Sequence, residues 1–277
     1  MKKTQANFLL TIILVAGLVL LLYPSVSNRW NRLHQSNAII NYQSTMQDMV
    51  AADYTAIFAE AEAYNAKLAT ISYPLMNHTQ IENYSSVLNV SGTGIMGYIT
   101  IPKLDVELPI YHGTEEAVLQ KSVGHLEGTG LPIGGSGNHS VLSAHRGLPR
   151  AKLFTDLDKL EIGDTFSVTV LNRLLSYQVD QILVVEPANV EALYPVAGQD
   201  YCTLITCTPY GINSHRLLVR GTRVENPAVL PVQSVTGDAV RMSPETAALI
   251  LASPLLLILL MGILLPPPTK KRRHFHG

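Results

Sequence analysis

Tyr201-Cys202-Thr203-Leu204-Ile205-Thr206-Cys207 is followed by Thr208-Pro209-Tyr210-Gly211, and then by Ser214-His215-Arg216-Leu217-Leu218-Val219. The first run is apolar and rich in β-branched residues, so it reads as a strand. Pro-Tyr-Gly breaks it, and residues 217–224 read as the next strand. Working outward, residues 98–101 and the alternating Val106, Leu108 and Ile110 read the same way. So do residues 141–144, 166–171 and 177–185, with Gly, Pro, Asn and Asp in the gaps. Seven or eight short strands with little helix between them predict an antiparallel barrel or sandwich. About 130 residues are enough for such a core to fold alone.

Ahead of the strands the period changes. Met46, Val50, Tyr54, Ile57, Ala61, Tyr64 and Leu68 step by three and four, which predicts one apolar helix face. Residues 72–94 are polar and turn-rich, read as a loop with the potential to cover a site.

Both ends are apolar. Residues 8–23 carry no charge and follow Lys2 and Lys3. With their flanks they approach the roughly 17–25 residues of a spanning helix. A signal peptide shares the charged start and apolar run, but no clear A-x-A-like cleavage site follows, so an uncleaved anchor is expected. Residues 247–265 are again uncharged, interrupted by Pro254 and followed by Lys270, Lys271, Arg272 and Arg273. Basic flanks stay cytoplasmic, so both termini are expected inside and the middle outside. The expected organisation is an anchor at 1–26, a helical extension and possible lid at 27–94 and a β domain at 95–225. A linker at 226–246, a second membrane helix at 247–266 and a basic tail at 267–277 complete it. Residues 25–246 hold 14 Lys and Arg against all 21 Asp and Glu of the chain, a mildly acidic balance. The expected surroundings are therefore a lipid bilayer, with no nucleic acid.

The chain has two cysteines. Five residues apart on one strand, Cys202 and Cys207 point to opposite faces with Cα atoms about 16 Å apart. They cannot form a disulfide with each other, and an exported chain with two unpaired thiols directs attention to one of them. Cys207 ends its strand at a turn, where a thiol is partly exposed as a reactive one must be. If the two strands pair as a hairpin, Arg216 faces the end of the Cys207 strand and would favour thiolate and a developing oxyanion. His145 likewise ends a short apolar strand, before Gly147. It is the best-placed proton carrier, although His112, His125, His139 and His215 compete and nothing local brings it to Cys207. Taken singly, each residue has an ordinary structural reading, as a buried thiol, a loop histidine and a surface cation. No metal or nucleotide motif occurs: C-x-x-C, H-x-x-x-H on a helix, G-x-G-x-x-G and the P-loop are all absent. G-x-S-x-G is absent as well. No metal and no cofactor are expected.

The segment from Thr206-Cys207-Thr208-Pro209-Tyr210-Gly211 to His215-Arg216-Leu217-Leu218-Val219-Arg220-Gly221 resembles the Cys-to-Arg segment of sortases. More narrowly, it is similar to the class C, pilus-assembling sortases of Gram-positive bacteria. Leu142-Ser143-Ala144-His145-Arg146-Gly147 resembles the histidine segment of that family, and Ile101-Pro102-Lys103-Leu104-Asp105-Val106 its first strands. The resemblance runs over residues 97–221. It implies an eight-stranded sortase-type β-barrel, mainly β, with the N-terminal helical extension and a membrane helix at each end. It implies a cysteine transpeptidase whose nucleophile is Cys207, with His145 moving the proton and Arg216 holding the signal backbone and the tetrahedral intermediate. The implied substrates are pilins with LPXTG-like signals, cut at Thr-Gly and joined to a lysine amine of the next pilin. Attachment to cell-wall peptide is the alternative acceptor, and a non-catalytic membrane scaffold is the alternative of another kind. Ser143 and Thr206 are further substrate-contact candidates. Class C lids often carry an Asp-Pro-aromatic motif; here the matching stretch is Ile71-Ser72-Tyr73-Pro74-Leu75. Tyr73 or Leu75 is left to occupy the groove, with no Asp for Arg216.

Overall fold

A computed structural model describes residues 3–47, 49–149 and 151–227. The expected linker, second membrane helix and basic tail lie almost wholly outside the described residues. Residues 3–27 and residues 28–227 belong to separate units.

Helix α1, Lys3–Gln47, continues through Pro24 rather than stopping there. It is long and apolar enough to cross a membrane, and Ile12, Ile13, Val19, Leu20 and Leu21 are exposed along it. Its later part docks on the β domain. The Tyr42 hydroxyl donates to the Met96 carbonyl at 2.9 Å and accepts from the Leu171 amide at 2.9 Å. Gln35 donates to the Lys121 carbonyl at 2.8 Å.

Helix α2, Ala51–Leu68, begins where the Asp53 carboxylate accepts from the Val50 amide, satisfying one otherwise orphan donor. Phe58, Ala61, Tyr64 and Leu68 form its buried face. Val50, expected on that face, is 63% exposed because the helices end and restart around it. The stretch read as loop contains a further turn of α-helix, α3, Pro74–Asn77, entered through Tyr73 at φ 54° and continued by a 3-10 turn, His78–Gln80.

The strands are β1 (Ile95–Ile101), β2 (Val106–His112), β3 (Val123–His125) and β4 (Asn138–Ser143). They continue as β5 (Thr165–Val170), β6 (Arg173–Val185), β7 (Asp200–Thr208) and β8 (His215–Val224). Helix α4, Glu116–Leu119, lies between β2 and β3. The strands close into a barrel in the order β1-β2-β3-β4-β7-β8-β6-β5. Six pairings are antiparallel; β2 with β3 and β4 with β7 are parallel, which the sequence pattern did not anticipate. Neither parallel pair is a hairpin. α4 carries the first connection, and the β5–β6 hairpin intervenes in the second.

Alternation divides the side chains. Ile99, Ile101, Leu142, Leu204, Leu217 and Val219 fill the barrel. On the outer side of β4, β7 and β8, Val141, Ile205 and Leu218 form a second buried cluster with Leu193. That outer cluster is what positions the site.

Candidate active site

β7 and β8 pair with Cys207 opposite Arg216. The hairpin conditional in the sequence is therefore met. β4 runs parallel to β7 with Ser143 opposite Ile205, and the Ala144 amide donates to the Ile205 carbonyl at 3.1 Å. One residue further, His145 leaves β4 at the level where Cys207 leaves β7. His145, Cys207 and Arg216 thus stand at the same end of three adjacent strands. With strands about 4.8 Å apart, their backbones span roughly 10 Å. The three also share a face, in phase with Val141, Ile205 and Leu218 of the outer cluster.

The loops beyond these strand ends are tied together. Arg146 donates to the Thr208 hydroxyl and pairs with Asp158. The Tyr210 ring lies over Gly147, where a Cβ would meet it at 2.8 Å, so only glycine admits this contact. Gly147 also has φ 77°. The Thr208–Pro209 bond is cis. Arg216 Nη1 donates to the carbonyls of Asn213 and His215, holding the guanidinium beside the β7–β8 turn. Tyr210 and Ile212 are exposed on that turn.

The two thiols are physically distinct. Cys202 is fully buried in the barrel, and burial pushes its pKa far up, keeping it a neutral thiol. Cys207 is partly exposed. The competing histidines separate in the same way. His125 is buried against the Tyr84 hydroxyl and the Gly130 carbonyl, and desolvation pushes its pKa down to about 4. His139 is buried between the Tyr194 carbonyl and the Thr203 hydroxyl, at the far end of β4, and its pKa is likewise lowered by burial. His112 lies between the carbonyls of Gly94 and Val87. His215, one position before Arg216 at the start of β8, contacts Ser214 at 2.9 Å. His145 is the histidine beside the Cys207 end of β7.

Of the other expected site residues, Ser143 lies on the outer face two positions before His145. Thr206 does not. Its side chain is 1% exposed, points into the barrel, and donates to the Ala144 carbonyl at 2.8 Å. Next to Cys207 in sequence, it is on the opposite face by strand alternation, so the expected substrate contact is corrected to a structural tie between β4 and β7. Leu75 packs against the outer cluster. Tyr73 is 68% exposed and borders a cavity of about 680 Å³ beside α3, together with Leu75, Gly128, Leu193 and Tyr194. The α3 turn sits close on Gly128. A Cβ there would lie 2.7 Å from the Pro74 oxygen and 2.9 Å from the Leu75 Cα. His78 Nδ1 lies 3.3 Å from Glu127, joining the end of this segment to the same loop.

Two neighbours of the site escaped the sequence reading. Leu193, in the β6–β7 connection, completes the outer cluster, and only the apolar spacing of Val190 and Leu193 hints at it. Glu116 of α4 reaches within 3.4 Å of His145 Nε2. Twenty-nine positions and two strands, β3 and β4, separate the two, and no local motif joins them.

A thiol, an imidazole and a guanidinium on one face can perform nucleophilic attack, proton transfer and oxyanion stabilisation. A family model described as the sortase domain matches residues 99–224. Sortase SrtE1 of Streptomyces coelicolor is 37% identical over 139 residues, 45% of this chain and 39% of that protein, so the match spans well under half of that relative's length. The crystal structure of sortase C1 from Streptococcus agalactiae is 50% identical with a TM-score of 0.64, covering 69% of this chain and all of that one. Sortase C of Streptococcus pneumoniae, whose structure was described with respect to catalysis and pilin substrate specificity, is 43% identical. Its TM-score is 0.60, over 69% of this chain and 97% of that one.

Proposed function

Because the chain belongs to the sortase family, with class C members among its solved relatives, we propose that it is a membrane-anchored cysteine transpeptidase that polymerises pilins. His145 takes the proton of the Cys207 thiol, the resulting thiolate attacks the Thr carbonyl of an LPXTG-like signal, and Arg216 stabilises the oxyanion. The Thr–Gly C–N bond breaks as His145 protonates the leaving amine, leaving a thioester on Cys207. A lysine ε-amine of a second pilin then attacks the thioester carbonyl. His145 accepts its proton, the Cys207 thiolate departs, and an isopeptide bond remains. Water in place of the amine gives hydrolysis.

The observation that carries this reading is the shared register. Cys207 pairs with Arg216, and Ala144 bonds to Ile205, at the same end of three neighbouring strands. The outer apolar cluster leading to that end, once uncovered, suits an extended peptide with apolar side chains. Leu75 packed on that cluster supports a cover formed by residues 72–77, without the Asp-Pro motif. The long apolar α1 supports anchoring. A second span at 247–266 with both termini cytoplasmic extends the proposal from the sequence pattern.

The test uses the full chain in lipid nanodiscs with two pilin domains, one ending in an LPXTG-like signal and one bearing the acceptor lysine. A Cys207-dependent isopeptide-linked dimer, mapped by mass spectrometry, is expected. Transfer only to a peptidoglycan-like amine would redirect the reading to cell-wall anchoring. The same product from Cys207→Ala would overturn the mechanism.

A further inference from the structure

We propose that Glu116 is a positioning residue for the proton-transfer imidazole, holding His145 with its proton on Nε2 and its basic lone pair on Nδ1. The inference rests on the role proposed for His145.

The geometry comes from the strand register. β3 is antiparallel to β4, with Gly124 opposite Ser143 and His125 opposite Leu142. The start of β3 therefore lies beside the end of β4, where His145 emerges. α4 immediately precedes β3, so its first residue lies over the imidazole. The link is compact: a Cβ on Gly124 would lie 3.2 Å from Leu119 Cδ2, so α4 packs close against β3. Within α4, the amides of Val118 and Leu119 donate to the Glu115 carbonyl. The Gln120 side-chain amide donates to Glu116 Oε1, one helical turn away. That bond steadies the carboxylate, whose Oε2 lies 3.4 Å from His145 Nε2.

His145 Nε2 is shielded from solvent and makes no hydrogen bond in this arrangement. A shielded polar nitrogen without a partner is costly, and the carboxylate beside it is the available acceptor. The separation is already short enough, and a small rotation of the imidazole or the carboxylate aligns an Nε2–H···Oε2 bond, as catalytic contacts commonly improve when substrate arrives. Neutral imidazole carries one N–H. With that proton on Nε2, the lone pair is on Nδ1, available to the group on the other side. Arg146, next in sequence, is engaged by Asp158 and Thr208. The carboxylate, imidazole and thiol then lie in order across α4, β4 and β7. When His145 takes up a proton from the incoming amine, Glu116, although 68% exposed, faces the resulting imidazolium.

The experiment uses the full chain with [15N]-histidine in nanodiscs, with His145→Gln to assign the resonance. In the wild type, Nε2 is expected to give the protonated signal and Nδ1 the unprotonated one. Glu116→Ala should mix the tautomers and lower kcat for transfer from a Leu-Pro-Glu-Thr-Gly peptide to lysine amide by tenfold or more, with KM within twofold. Glu116→Gln, which keeps an acceptor oxygen, should retain the tautomer and recover part of kcat. A wild-type proton on Nδ1, or Glu116→Ala with unchanged tautomer and kcat, would overturn the positioning role. Full activity in His145→Gln would instead refute the acid–base role of His145. The tautomer measurement stands apart from that outcome.

Discussion

Leu75→Ala tests whether the α3 segment covers the outer apolar cluster. Leu75 is partly buried on the cluster of Val141, Leu193, Ile205 and Leu218. Removing three carbons forfeits roughly 2.4 kcal/mol if fully buried, and about 1 kcal/mol for a half-buried side chain. At 1.4 kcal/mol per tenfold, that shifts the closed-to-open ratio by about fivefold. Where the closed state dominates, entry of a peptide-sized ligand should rise by the same factor. The assay is the rate at which a thiol-reactive Leu-Pro-Ala-Thr ketone labels Cys207, relative to iodoacetamide. Cys202 stays silent because it is fully buried. Cys207→Ala supplies the blank. Gly128→Ala provides an independent opening, because its Cβ would lie 2.7 Å from the Pro74 oxygen. Equal labelling ratios in wild type, Leu75→Ala and Gly128→Ala would refute the closed cover.

Other consequences follow from individual contacts. Arg216→Lys keeps the charge but loses the planar fork, so kcat on a Leu-Pro-Glu-Thr-Gly peptide should fall by about 10²–10³. Tyr42→Phe strands the Leu171 amide and the Met96 carbonyl. It should cost about 1–3 kcal/mol, read as a lower thermal midpoint of the full chain in detergent. His125 has a folded pKa of about 4, below its ordinary 6.5. The unfolded chain therefore takes up the proton first, and stability present above pH 6.5 is lost as pH falls toward 4. About 2 kcal/mol should disappear by pH 5, and His125→Asn should flatten that dependence in pH-resolved unfolding.

The parts of the site legible in sequence are those that local pattern controls. Cys207 and Arg216 stand on consecutive strands joined by a Pro-Tyr-Gly turn, so their pairing followed once a hairpin was granted. The separation of Cys202 from Cys207 followed from alternation alone. His145 was different. Its approach to Cys207 depends on a parallel β4–β7 pairing across 62 positions, which periodicity does not encode. Only the resemblance linked the two. Thr206 shows a signal that was present but unused, since its odd offset from Cys207 already turns it inward. Val50 fitted the apolar period yet is exposed, because a helix break resets the phase. Glu116 is placed by chain closure around β3, through contacts between segments distant in sequence.

The central claim is a covalent acyl intermediate on Cys207. Its most direct test is the intact mass of the full chain after incubation with a Leu-Pro-Glu-Thr-Gly peptide and no acceptor amine, followed by fragmentation. The account predicts one acyl adduct ending at Thr, localised to Cys207, discharged by lysine amide and absent from Cys207→Ala. An adduct on another residue, or substrate cleavage undiminished in Cys207→Ala, would contradict it.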